Sequence, residues 1–153
     1  MSKKIEITEL LGDGIGPEIA ASIHQVAEAL PADISFKPVD WSVATREAKG
    51  MAAIDEAEES MRATKLALKY PTETRTRSPN ALIRRRLNFS VIYRPVISIK
   101  GINSNFKENV NLHIIRVATG GTYDDPGQRI GLDSAISVRM VETRPCMQAA
   151  HFA

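Results

Sequence analysis

The chain has 153 residues, 43% of them hydrophobic and 25% charged, with a net charge of +2 and a single cysteine. That length suffices for one domain with a buried core. The balance leaves no general electrostatic footprint for nucleic acid, no apolar run long enough to span a bilayer, and neither an internal disulfide nor a Cys-rich metal site. Cys146 reads as an inert packed thiol, and His24, His113 and His151 show no ligand spacing. Met1-Ser2-Lys3-Lys4 leads straight into an alternating pattern and does not resemble a signal peptide, so a reducing, cytoplasmic setting is expected.

In chain order, Lys4–Leu11 alternates apolar and charged residues and predicts a strand. Gly12-Asp13-Gly14-Ile15-Gly16-Pro17-Glu18 predicts a tight turn into a helix, because proline and a carboxylate suit a first helical turn. Ile19, Ile23, Val26, Ala27 and Leu30 mark that helix's apolar face, and Pro31 ends it. Ile34–Val39 predicts a second strand, completing a βαβ start and an α/β sheet flanked by helices. Val43–Thr64 is helical with a break at Gly50, and its acids Asp55, Glu56, Glu58 and Glu59 read as a solvated face. Thr64–Leu68 predicts a strand, Pro71–Pro79 a polar loop and Ala81–Leu87 a short helix. Val91–Ile99 and Asn111–Val117 predict strands. Ala118–Leu132 is glycine-rich with a turn at Asp124-Asp125-Pro126-Gly127. Ala135–Val141 alternates as a strand, and Pro145 opens a last helix.

Three arginines stand in apolar surroundings: Arg84 after Ala81-Leu82-Ile83, Arg94 within Val91-Ile92-Tyr93-Arg94-Pro95-Val96, and Arg116 at the end of Leu112-His113-Ile114-Ile115. A guanidinium stays charged, and burying it unpaired is costly. Each could be matched by a structural Asp or Glu. As a set, with Ser78, Asn80 and Tyr123, they predict a cleft that gathers positive charge for an anion, since the guanidinium fork grips a carboxylate with two parallel bonds. Arg75, Arg77, Arg84, Arg85 and Arg86 cluster locally, but no aromatic platform is interleaved among them, so neither a nucleic acid nor a membrane is expected as a partner. Gly12, Gly14 and Gly16 do not complete a dinucleotide fingerprint, because Pro17 interrupts the spacing. A tight strand-to-helix turn and a close cofactor approach both remain open for them.

Six blocks in order resemble the isocitrate and isopropylmalate dehydrogenase family. They are Leu10-Leu11-Gly12-Asp13-Gly14-Ile15-Gly16-Pro17-Glu18-Ile19, Thr64-Lys65-Leu66-Ala67-Leu68-Lys69, Arg77-Ser78-Pro79-Asn80 with Arg84, Tyr93-Arg94-Pro95-Val96, Ile114-Ile115-Arg116, and Tyr123. The resemblance covers nearly all of this chain but only the N-terminal part of the family's usual length. It implies a partial isopropylmalate-dehydrogenase-like fold without the C-terminal half. About 1–97 would belong to the large domain, and about 98–153 would begin the small one.

The activity implied is NAD- or NADP-dependent oxidation and decarboxylation of a 2-hydroxy acid, with Mg2+ or Mn2+. Arg84, Arg94 and Arg116 would bind the substrate's carboxylates. Ser78 and Asn80 would hold its distal carboxylate, a pairing closer to isocitrate or homoisocitrate enzymes. Tyr123 would protonate the enol left after decarboxylation, and Thr74 and Lys69 would face the nicotinamide. The family's catalytic lysine and metal-binding aspartates match no position here, so no metal ligands are expected within the chain. Asp124, Asp125 and Asp133 sit in turn-like sequence and are not expected as ligands. Arg116-Val117-Ala118-Thr119-Gly120-Gly121 lacks two acids usual in the family at that block. The resemblance therefore implies a small tricarboxylate or related anion as ligand, and a homo-oligomer or a partner chain that supplies the missing half. The alternative is a non-catalytic anion-binding or regulatory subunit that uses the arginine pocket.

Overall fold

The computed structural model describes residues 4–75, 78–103, 105, 110–121, 125 and 127–153. They form two compact units, Met1–Pro79 and Asn80–Ala153.

The first unit contains β1 (Lys4–Leu11), α1 (Gly16–Ala29), β2 (Asp33–Asp40), α2 (Val43–Lys49), α3 (Met51–Thr64) and β3 (Ala67–Lys69). Its sheet runs in the order β2-β1-β3, with both pairings parallel. The central strand alternates between two faces. Glu9 meets His24 of α1 on one face, and Thr8 meets Ser60 and Thr64 of α3 on the other.

Both contacts are polar, and the partners explain why burial is tolerated. Glu9 is 3% exposed, and its Oε1 accepts the Tyr70 hydroxyl at 2.6 Å and lies 2.7 Å from His24 Nε2. Burial, and then the bond to Glu9, push the Tyr70 hydroxyl's pKa upward, so it stays a donor. His24 also packs on Phe36, with ring centroids 4.4 Å apart. On the other face Thr8 Oγ1 lies 2.8 Å from both Ser60 Oγ and Thr64 Oγ1. Trp41, Leu10, Ala53 and Ala57 fill the apolar core.

The expected break at Gly50 is present: its φ of 56° lies in the left-handed region, which suits glycine between α2 and α3. The third strand begins later than expected, at Ala67. Thr64 still belongs to α3 and bonds back to the Ser60 carbonyl at 3.1 Å, and Lys65 caps the helix at φ 61°.

The second unit carries α4 (Pro79–Arg86, its first residue in the preceding unit), β4 (Val91–Ile97), β5 (Asn111–Val117), β6 (Gln128–Ile130), β7 (Ser134–Ile136) and α5 (Thr143–Phe152). β4 pairs antiparallel with β5, from Val91 opposite Val117 to Ile97 opposite Asn111. That pairing places 91–97 with the residues that follow them. α5 packs on this ribbon, where Phe152 meets Tyr93 at 5.7 Å between ring centroids.

β6 and β7 form a short hairpin inside what the sequence presents as a glycine-rich loop and the start of a strand. The strand expected over Ala135–Val141 stops at Ile136. Asp125 accepts from Ser137 Oγ at 3.0 Å and from Val138 N, which takes away an N–H that a continuing ladder would use. Among the described residues an isolated bridge, Gly121 to Met140, follows.

Candidate functional site

Two of the three arginines come together on the β4–β5 ribbon. Arg94 faces Ile114 across the ladder, and Arg116 faces Ile92. Residues two apart on a strand share a face, and so do directly opposed residues. Arg94 and Arg116 are therefore diagonal neighbours on one face, a separation of about 7–8 Å between Cα atoms. Tyr93 and His113 occupy the other face, where the Tyr93 hydroxyl lies 2.5 Å from His113 Nδ1 and Phe152 packs nearby.

Asn80 and Arg84 stand four residues apart on α4 and so share one side of that helix. Asn80 Oδ1 is buried and finds no partner among the described residues. Arg84 is half-buried, while Arg94 and Arg116 are exposed. Their apolar neighbours on the ribbon, including Leu112, Ile114 and Val96, are exposed as well. The expectation of guanidiniums sunk in apolar runs is corrected accordingly. Arg94 and Arg116 stand on an open surface, on a ribbon that has two strands among the described residues. Neither Arg84 nor Arg94 forms an ion pair with a described residue.

Ser78 is exposed and belongs to the first unit. Tyr123, Asp124 and Arg77 lie outside the described residues. Lys69 ends β3, and its Nζ donates to the Tyr70 carbonyl at 2.7 Å and to Thr72 Oγ1 at 3.2 Å. Thr74 is exposed on the loop just beyond.

That loop is fixed by a residue the sequence reading did not single out. Asp13 accepts from Val43 N at 2.7 Å, Glu73 N at 2.8 Å and Arg46 Nη2 at 3.1 Å. Arg46 also donates to the carbonyls of Trp41, at 3.0 Å, and Glu73, at 2.8 Å. One carboxylate thus gathers the loops that leave all three parallel strands at their C-terminal ends, the edge where open α/β sheets bind ligands. Burial alone would raise the Asp13 pKa. The bonds from Val43, Glu73 and Arg46 outweigh it and hold the carboxyl below its usual range. Gly12 serves the same junction, since a Cβ there would sit 1.9 Å from the Pro71 carbonyl oxygen. Its requirement is steric and needs no nucleotide.

A cavity of about 690 Å3 lies beside β5. Arg116, Thr119, Gly121, Arg139, Glu142 and Cys146 are among its lining residues. Cys146 is half-buried there, not sealed in a core. Arg139 was missed by sequence reasoning, although the alternation of Ile136, Val138 and Met140 already sets it on the other side of its segment.

Among the described residues no three His, Cys, Asp or Glu side chains cluster as a metal site. Asp125 is occupied by Gly127 N at 2.9 Å, by Ser137 Oγ and by Val138 N. These residues do not fit a divalent metal. No helix among them is long and apolar enough to cross a membrane.

The profile of the family described as Isocitrate/isopropylmalate dehydrogenase matches residues 6–153. A Caenorhabditis elegans protein, named as the probable alpha subunit of mitochondrial NAD isocitrate dehydrogenase, is 31% identical over 96% of this chain and 42% of its own length. A Dictyostelium discoideum protein, named as a regulatory subunit of mitochondrial NAD isocitrate dehydrogenase, is 30% identical over 99% of this chain and 42% of its own length. The crystal structure of isocitrate dehydrogenase from Methylococcus capsulatus superposes with a TM-score of 0.82 at 30% identity, over 97% of this chain and 46% of that one. The chain thus spans less than half the length of these relatives. The two named relatives from Caenorhabditis and Dictyostelium are mitochondrial, which lends no support to the expected cytoplasmic setting. With the βαβ opening and the arginine pair in place, the chain belongs to the isocitrate/isopropylmalate dehydrogenase family.

Proposed function

We propose that this chain is the arginine-bearing part of an isocitrate-type decarboxylating dehydrogenase. It holds a small hydroxy-tricarboxylate and takes part in NAD- or NADP-linked oxidation only together with the catalytic lysine and metal-binding aspartates that match no position in these 153 residues. The observation that carries this reading is the placement of Arg94 and Arg116 on one face of the ribbon. Two guanidinium forks on backbone positions at that separation suit a ligand with more than one carboxylate.

In this reading Arg84, Ser78 and Asn80 complete the grip on the substrate. Tyr123 delivers the proton to the enol, and Thr74 and Lys69 stand toward the nicotinamide. The cofactor would accept hydride when bound. The chain's own residues orient the acid and neutralise its charge. Exposed Leu132, Ile130 and Ile136 on the hairpin, Ile15 just before α1 and Val26 on it are apolar surface available to a partner.

A second reading is a regulatory subunit that binds the anion without turnover. The block Val117-Ala118-Thr119-Gly120-Gly121, which lacks acids, favours it, and so does similarity to the Dictyostelium discoideum relative, which is named as regulatory.

Thermal unfolding tests the shared claim. Isocitrate well above its dissociation constant stabilises by roughly 1–3 kcal/mol through mass action. Sulfate at equal ionic strength controls for screening. Arg94→Ala is expected to remove the shift and Arg85→Ala to retain it. Equal shifts from sulfate and isocitrate, or equal behaviour of the two variants, would refute an organised site.

A further inference from the structure

The cavity beside β5 does not include Arg84 or Arg94 among its lining residues. Its lining adds a different arginine, Arg139, to Arg116. Arg139 lies next to Met140, and the bridge between Gly121 and Met140 ties that segment to the stretch following β5. Gly121 N donates to the Met140 carbonyl at 2.8 Å, and Met140 N donates to the Gly121 carbonyl at 3.3 Å. The backbone thus carries Arg139 to the cavity that Arg116 lines from the strand. Arg139 is exposed and has no ion pair with a described residue.

The remaining lining narrows the ligand class. A volume of about 690 Å3 is within the range of small-molecule pockets. A Cβ on Gly121 would meet nothing within 4 Å, so that position is open. Ile114, Val117, Met140 and Val141 give apolar walls, which suit a carbon skeleton better than bare inorganic phosphate. Thr119 adds a hydroxyl. Glu142, whose side chain makes no capping bond to α5, adds an acceptor for a ligand hydroxyl.

We propose that this cavity is a polycarboxylate site in which Arg139 is a ligand together with Arg116. The inference rests on reading Arg116 as an anion ligand and adds a specificity residue that the six sequence blocks do not contain. A guanidinium reaching in from the second segment would select for the length of the acid between its charged ends.

Calorimetric titration of the full chain with citrate tests it, with orthophosphate as a second arm. Arg139→Gln is expected to weaken citrate binding by about tenfold or more, the scale of a lost charge-assisted pair of bonds. Arg139→Lys is expected to fall between, since it keeps the charge without the fork. Arg144→Gln makes the same change in net charge outside the cavity lining and is expected to bind as the wild type does. Circular dichroism checks that each variant is folded. Loss on Arg139→Gln with Arg94→Gln unchanged supports this cavity and removes Arg94 from the earlier reading. Loss on Arg94→Gln with Arg139→Gln unchanged overturns the inference and leaves the earlier reading intact. Orthophosphate binding as tightly as citrate overturns the polycarboxylate assignment, and no citrate binding by the wild type overturns both.

Discussion

Asp13 shows how much one side chain organises in the first unit. Its carboxylate accepts from two backbone N–H groups and Arg46, and the net effect is a lowered pKa. A folded-state pKa below the unfolded value, near about 3.9 for Asp, contributes stability that is present above that pH. The contribution is lost as pH falls through the lower folded value. Urea unfolding between neutral pH and about pH 3 is therefore expected to show an acid-side loss of stability that is smaller in Asp13→Asn. An unchanged acid-side slope in the variant would contradict this role. Asp13 was legible only as part of a turn, because its three donors come from positions 43, 46 and 73, and nothing local predicts those contacts. Arg139 was overlooked for a similar reason, since the cavity that it shares with Arg116 is closed by segments far apart in sequence.

At the scale of elements, the first unit follows its sequence closely. Alternation in Lys4–Leu11, Pro17 in the first turn of α1 and glycine at 50 each state a local preference that packing does not override. The fit is looser where long-range bonds compete. Asp125 ends β7 early, and the β6–β7 hairpin forms in a stretch read as loop. The ribbon face shared by Arg94 and Arg116 required the register, which single-strand patterns do not contain. The turn after β1 gives a direct test. Gly12→Ala would drive a methyl group into the Pro71 carbonyl, and backbone on both sides must then move apart. A destabilisation of roughly 1–3 kcal/mol is expected, read as a lower urea midpoint. A variant as stable as the wild type would show that the junction opens freely.

For the whole molecule, the family assignment and the reach of the chain set the expected chemistry. The chain spans 42% of the length of the Caenorhabditis elegans relative, and it carries the arginines that the family resemblance assigns to substrate binding. The lysine and metal-binding aspartates which that resemblance assigns to catalysis match no position in it. Binding and turnover are therefore expected to separate, because a group that orients the acid does not complete proton transfer and hydride removal. The most direct measurement is nicotinamide reduction by the purified 153-residue chain supplied with isocitrate, magnesium, and NAD or NADP. That separation predicts no turnover above a protein-free control, from a preparation of the chain that does show isocitrate-dependent thermal stabilisation. Turnover that follows the chain through purification and disappears in Arg94→Ala would contradict it.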